Sequence, residues 1–157
     1  MKDILEVVKL KLELEKKAKQ IVEQNNSNIM GAVTEHIISR WLTDSKGSQY
    51  LCIGGNQKGF DVTCDKFKDT YEVKHTNTTS SAYHYGNLES KDAKHIVFVK
   101  WEYGSLLNAE YAYIFPNKVV KENLNKRGKF TMSNLHKASH LAEDITDSLN
   151  NFISKNE

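Results

Sequence analysis

The sequence predicts an α/β fold, a three-layer sandwich with a central mixed β-sheet flanked by helices. Three observations carry that expectation. Apolar residues recur at helical spacing near the N-terminus, strand-like runs fill the middle, and a segment of helical period closes the chain.

The first helix is read over residues 3 to about 24, within an N-terminal segment 1–25. Val7, Leu10, Leu14 and Ile21 recur on one face, and Lys and Glu fill the other. Heptad-like spacing makes it a candidate dimerisation arm, but Lys17 interrupts the seam, so packing on the chain's own core is the expected use. The run Asn25, Asn26, Ser27, Asn28 ends this helix and can cap the next, read over 29–42 with a buried stripe of Met30, Val33, Ile37 and Trp41. Strands are expected at 49–53, 60–64, 70–75, 95–101 and 110–115, with a strong turn at 54–59. A short helix is expected near 88–94 and a C-terminal helix over 133–153.

At 157 residues the chain has the size of one domain. Its 39% hydrophobic and 27% charged content excludes a disordered polymer. With Pro116 the single proline, a Pro-rich linker is not expected. No apolar run reaches the length that crosses a bilayer, and the start lacks the apolar stretch of a signal peptide. Cys52 and Cys64, without a CxxC, are expected to be reduced core residues of a cytoplasmic protein. A net charge of +2 neither demands nor excludes nucleic acid.

The strands around Asp61 and Glu72 carry the chemistry. Alternation puts Phe60, Val62 and Cys64 on one face and Asp61 on the other; likewise Tyr71 and Val73 oppose Glu72 and Lys74. A hairpin with Asp65, Lys66, Phe67 and Lys68 as its loop sets Asp61 across from Glu72, Val62 across from Tyr71 and Phe60 across from Val73. Two carboxylates and one ammonium then share a patch of sheet. Neighbouring carboxylates repel, and a divalent cation relieves that repulsion. Hard oxygen ligands suit magnesium, and Lys74 can orient a water or stabilise charge on a phosphate. These are the parts that hydrolyse a phosphodiester. An acid–x–Lys on a strand is also commonly a solvated salt bridge.

Asp61, followed after a short hairpin by Glu72-Val73-Lys74, resembles the acid and E-x-K halves of the PD-(D/E)XK nuclease motif. Gly31-Ala32-Val33-Thr34-Glu35 resembles the GxxxE helix that precedes the catalytic strands in many members. The order of elements from Ile29 to Trp101 resembles the family core, so 29–101 is the expected catalytic core of a single nuclease domain, 1–157. Phe60 stands where many members have proline. The resemblance implies a restriction-endonuclease-like fold, with Asp61, Glu72 and the Val73 carbonyl as magnesium ligands and manganese as a substitute. It implies Lys74 as the catalytic lysine and Glu35 as a fourth candidate, at the rim of the second helix beside Gly31, Ile38 and Leu42.

The segment after Lys74 is rich in neutral hydrogen-bonding groups, as base edges require, whereas phosphates attract Lys and Arg. Asn77, Ser81, Tyr83, His84 and Tyr85 are therefore candidate base contacts, and Lys126, Arg127 and Lys129 candidate phosphate contacts. In one branch of the type II restriction endonucleases a His-bearing segment after the E-x-K strand reads the major groove, and Tyr83-His84-Tyr85 holds a similar place. The expected activity is a magnesium-dependent, sequence-specific endonuclease on double-stranded DNA, acting as a homodimer. The alternatives are a junction resolvase, an RNA-cleaving toxin domain or a non-catalytic nucleic-acid-binding module. His136 and His140, at i, i+4, lack a third ligand for zinc, and Gly54-Gly55 lacks the Lys-Ser/Thr of a phosphate loop.

Overall fold

A computed structural model describes residues 10, 13, 14, 16, 17, 29–53, 59–80, 83–86, 88–103 and 108–156. Most of the expected first helix lies outside the described residues, as do Ser81 and most of the turn at 54–59; Leu10 and Leu14 are helical and exposed.

Helix α1 spans Ile29–Lys46. It stops at Gly47, whose φ of 63° is the left-handed conformation that suits glycine, and whose N–H donates to the Thr43 carbonyl at 3.1 Å. Strands β1 (Leu51–Cys52), β2 (Val62–Cys64), β3 (Asp69–Thr76), β4 (His84–Tyr85), β5 (His95–Trp101) and β6 (Ala109–Pro116) follow. Then come α2 (Asn117–Glu122), β7 (Phe130–Thr131), α3 (Met132–Ala138), a 3-10 turn (Ser139–Leu141), β8 (Glu143–Asp144) and α4 (Thr146–Asn156).

Among the described residues the central sheet has six strands in the order β1-β2-β3-β5-β6-β8. Only β3 and β5 run parallel; the other pairs are antiparallel, so the sheet is mixed. The β2–β3 register sets Val62 opposite Tyr71 and Cys64 opposite Asp69, leaving 65–68 as the hairpin loop in agreement with the sequence reading.

Strand alternation feeds two cores. Val97, Val99 and Trp101 of β5, with Tyr71 and Val73 of β3, pack beneath Ile38, Trp41 and Leu42 of α1 and Leu149 and Ile153 of α4. Ile96 and Phe98 face the other way, onto Leu88, Tyr85 of β4, Phe130 of β7, Val120 of α2 and Leu135 of α3. Polar contacts fix α1 on the sheet and on α4. Trp101 Nε1 donates to Thr34 Oγ1 at 3.0 Å, Ser39 Oγ to the Tyr50 carbonyl at 2.8 Å, and Trp41 Nε1 to Ser148 Oγ at 3.1 Å.

Several expectations are corrected. The α1 stripe is rotated: Ile38 and Leu42 are wholly buried with Trp41, while Met30, Val33 and Ile37 are only half-buried. Residues 88–94 form a turn rather than a helix, because the Asn117 side chain takes the carbonyls of Lys91 and Ala93 at 2.9 and 2.7 Å. The single C-terminal helix is two, α3 and α4, parted where β8 adds to β6. Phe60 packs on the second core rather than beside Val62, since the chain bends at Asp61 and alternation begins only at β2.

Candidate active site

Asp61 stands at that bend, one residue before β2. Its N–H donates to the Tyr71 carbonyl at 2.8 Å, and its carbonyl accepts from Ile53 N–H at 2.9 Å, so its backbone ties β1 to β3. Its Oδ2 accepts from the Val73 N–H at 2.7 Å. The N–H and C=O of one strand residue point to the same edge. The Val73 carbonyl thus shares the Asp61 edge of β3.

Glu72 and Lys74 are paired in register with Ile96 and Phe98 and so point into the second core's layer. That face is not a solvated patch: Glu72 is 1% exposed. A carboxylate taken out of water needs counter-charges and hydrogen bonds. Its Oε1 has two, Lys74 Nζ at 2.6 Å and Lys91 Nζ at 2.8 Å. Its Oε2 is buried with no hydrogen-bond partner. No periodicity in the sequence marks Lys91.

Glu35 reaches the same place from α1. Because the buried stripe runs along Ile38 and Leu42, the Gly31–Glu35 side of the helix turns towards β3. Gly31, Glu35, Val73, Lys74, His75, Tyr83, Tyr85 and Gly86 line one cleft of about 220 Å³. Cys52 Sγ contacts Glu35 Oε2 at 3.8 Å, and Cys52 and Cys64 form no disulfide.

The electrostatics fit a cation. Burial, then the charges of Asp61 and Glu72, raise the Glu35 carboxyl from the usual 4.5 to about 7. Burial and the Glu72 charge also raise Asp61, against the Val73 N–H and the charges of Lys74 and Lys91. Two carboxylates here resist ionisation despite two lysines nearby. Among the described residues no three His, Cys, Asp or Glu side chains form a metal cage. The donors on offer are Asp61, the unpartnered Oε2 of Glu72 and the Val73 carbonyl. Such a sparse set of hard oxygens fits magnesium, which keeps several waters of its own.

The raised Glu35 sets a pH dependence. The folded protein holds this proton more tightly than the unfolded chain does. Between pH 4.5 and about 7 the folded state therefore binds more protons, and stability falls as pH rises. Above that window the penalty is on the order of 2 kcal/mol, allowing for partial exposure. Glu35→Gln is expected to raise the melting temperature by about 4–8 °C near pH 8 and to change it little near pH 4. Thermal melts at both values check this; an equal gain at both would mean that ionisation is not the cause.

Two segments far apart in sequence meet beside the cleft. β4 and β7 form a two-stranded sheet, with His84 opposite Thr131 and Tyr85 opposite Phe130. His84 is exposed and Tyr83 half-buried, their rings stacked at 6.4 Å. Tyr85 is a correction to the expected base contacts. It is 1% exposed, packs on Phe98 at 4.6 Å, and its hydroxyl meets that of Tyr111 at 3.4 Å, so it anchors β4 from inside. Asn77 is exposed at the end of β3.

The basic loop is shaped by Asn125, whose Oδ1 accepts from Arg127 N–H at 2.9 Å and Lys129 N–H at 3.0 Å. Gly128 turns it with a φ of 67°. Lys126 and Arg127 are exposed. Lys129 is half-buried, its Nζ 3.1 Å from where a Cβ on Gly86 would sit. The basic loop thus borders the Tyr83–Gly86 segment and, through it, the cleft. His136 packs edge-on against Tyr111, and His140 Nδ1 lies 3.0 Å from the Lys137 carbonyl.

Among the described residues no helix is long and apolar enough to cross a membrane. No protein-family model matches the chain, and no curated protein matches it either.

Proposed function

We propose that the protein is a magnesium-dependent endonuclease of the PD-(D/E)XK kind that cuts double-stranded DNA at a specific sequence, as a type II restriction endonuclease does. One observation carries the reading: Asp61 and the Glu72-x-Lys74 pair meet at one edge of β3, with the Oε2 of Glu72 buried and unpartnered. Asp61, Glu72 and the Val73 carbonyl would hold magnesium, with manganese as a substitute. When bound, the ion supplies charge stabilisation at the scissile phosphate and lowers the pKa of the attacking water.

The chain's own residues do the rest. Lys74 is partly exposed and borders the cleft, where its ammonium faces the charge that develops on the phosphate. Glu35, with a carboxyl near 7, is suited to take the proton from the attacking water at neutral pH. A homodimer would bring a second site to the other strand of a palindrome. The cytoplasm is the proposed compartment.

The test is incubation with plasmid DNA and magnesium, then manganese. Discrete bands support restriction, and a smear a nonspecific nuclease. Cutting confined to branched DNA supports a junction resolvase, and cutting confined to RNA a toxin domain. No cleavage of any of them, with nucleic acid still bound, leaves the non-catalytic module.

The β4–β7 platform yields a separate expectation. His84 would approach a base edge, with Asn77 and Tyr83 as further candidate contacts, while Lys126, Arg127 and Lys129 would hold phosphates. Losing a base contact removes about 1–3 kcal/mol of discrimination, whereas losing a phosphate contact weakens all sequences and flattens the salt dependence. His84→Ala should weaken cognate binding and spare random DNA; Arg127→Ala should weaken both alike. Binding titrations of both duplexes at several salt concentrations check this. Equal loss in His84→Ala removes the segment's role as a reader.

A further inference from the structure

Glu72 has two lysines where the family motif supplies one. Lys74 comes with the strand, two residues on. Lys91 comes from the turn between β4 and β5, and its Nζ reaches Oε1 of Glu72 at 2.8 Å with a side chain only 17% exposed. This is a held position rather than a chance surface encounter. The Lys91 N–H donates to the carbonyl of Leu88, a wholly buried core residue, at 3.2 Å. The Lys91 carbonyl accepts from Asn117 Nδ2 at 2.9 Å. Asn117 also binds the Ala93 carbonyl through the same nitrogen at 2.7 Å and the Lys94 carbonyl through its backbone N–H at 2.9 Å. The first residue of α2 thus fastens the turn in place, and the turn delivers one ammonium to the buried carboxylate.

The geometry points to Lys91 as a positioning residue of the site: its ammonium holds Oε1 of Glu72, so that Oε2 is the oxygen left to a divalent cation while Lys74 is released to the phosphate. This rests on the nuclease reading above. The physical need is plain. A buried carboxylate cannot lose its only counter-charge without a large penalty. Were Lys74 alone, turning it towards a phosphate would strip Glu72 of its partner. With Lys91 in place, Lys74 can move while Glu72 keeps an ammonium partner and its orientation. Partners behind a ligand commonly matter about 10–100-fold for metal affinity.

The test uses the full chain and two variants, Lys91→Met, which keeps an apolar stem, and Lys91→Arg, which keeps the charge. Magnesium affinity is measured by calorimetry, and cleavage is split into kcat and KM for DNA. Lys91→Met is expected to weaken magnesium binding at least about tenfold and to lower kcat with KM for DNA little changed. Lys91→Arg is expected to stay within about threefold of the wild type in both. Unchanged magnesium affinity in Lys91→Met overturns the assignment, as does a rise in KM for DNA alone, which would make Lys91 a phosphate contact. If Lys91→Met does not fold, Lys91→Arg decides: retained affinity supports the role, and a tenfold loss overturns it. A wild-type chain that neither binds magnesium nor cleaves overturns the nuclease reading and this assignment with it. A wild type that does both, beside unaffected variants, overturns this assignment alone.

Discussion

Lys74→Ala is expected to lower the cleavage rate about 10²–10³-fold, the loss that follows removal of one preorganised charge-stabilising donor, while the protein stays folded and binds DNA. The separation of effects follows from Glu72 having two ammonium partners. Lys74 Nζ lies 2.6 Å from Oε1 and Lys91 Nζ 2.8 Å from the same atom. Truncating Lys74 leaves the buried carboxylate one counter-charge, and Lys74 is itself partly exposed, so the stability change should be about 1 kcal/mol. DNA affinity should persist, because the candidate phosphate contacts lie on the loop of Lys126, Arg127 and Lys129. Single-turnover cleavage, a gel-shift titration and a thermal melt measure the three quantities. Undiminished cleavage would remove Lys74 from the chemistry.

The part of the site that could be read in the sequence is the part built within one hairpin. Period-two alternation and a four-residue loop suffice to set Val62 opposite Tyr71 and Asp61 near Glu72, and neither depends on distant packing. β5 was legible for a related reason: a strand buried on both faces reads as a continuous apolar run, as 96–99 does. What escaped depends on contacts across long separations. Lys91 reaches Glu72 because Asn117, 26 residues later, claims the Lys91 carbonyl that a helix would have used. The C-terminal break was hidden because Leu135, Ala138, Leu149 and Ile153 keep a helix-like spacing through it. A local signal is nevertheless present: Asp144 Oδ1 accepts from Thr146 N–H at 3.0 Å, an Asx turn just ahead of α4. Helical period alone does not choose the buried stripe of α1, because its two apolar sets are nearly equal. Tertiary contacts chose Ile38 and Leu42, and this choice brings Glu35 to the cleft.

Asp61→Asn and Glu72→Gln should both abolish tight magnesium binding, yet move stability in opposite directions. Each substitution replaces an anionic oxygen ligand with a neutral amide, and the affinity loss should exceed the about 10–100-fold that removal of an outer partner causes. The folds respond differently because the two carboxylates sit in different fields. Asp61 is raised by burial and by the Glu72 charge, so once ionised it weighs against the folded state; stability falls as pH climbs through its folded value. Asparagine removes that charge and keeps an oxygen to accept the Val73 N–H now held at 2.7 Å. Without metal, Asp61→Asn should therefore melt at or above the wild-type temperature near neutral pH. Glu72 ion-pairs with both Lys74 and Lys91, at 2.6 and 2.8 Å. Glutamine there leaves two ammonium groups a few ångströms apart beside an apolar core. Since both lysines retain some exposure, the destabilisation should be about 2–3 kcal/mol rather than the full value for a fully buried broken pair. Calorimetry with magnesium and melts without it give the four numbers. Unchanged metal affinity in both variants would place the ion elsewhere; a stabilised Glu72→Gln would mean that the two lysines do not depend on this carboxylate.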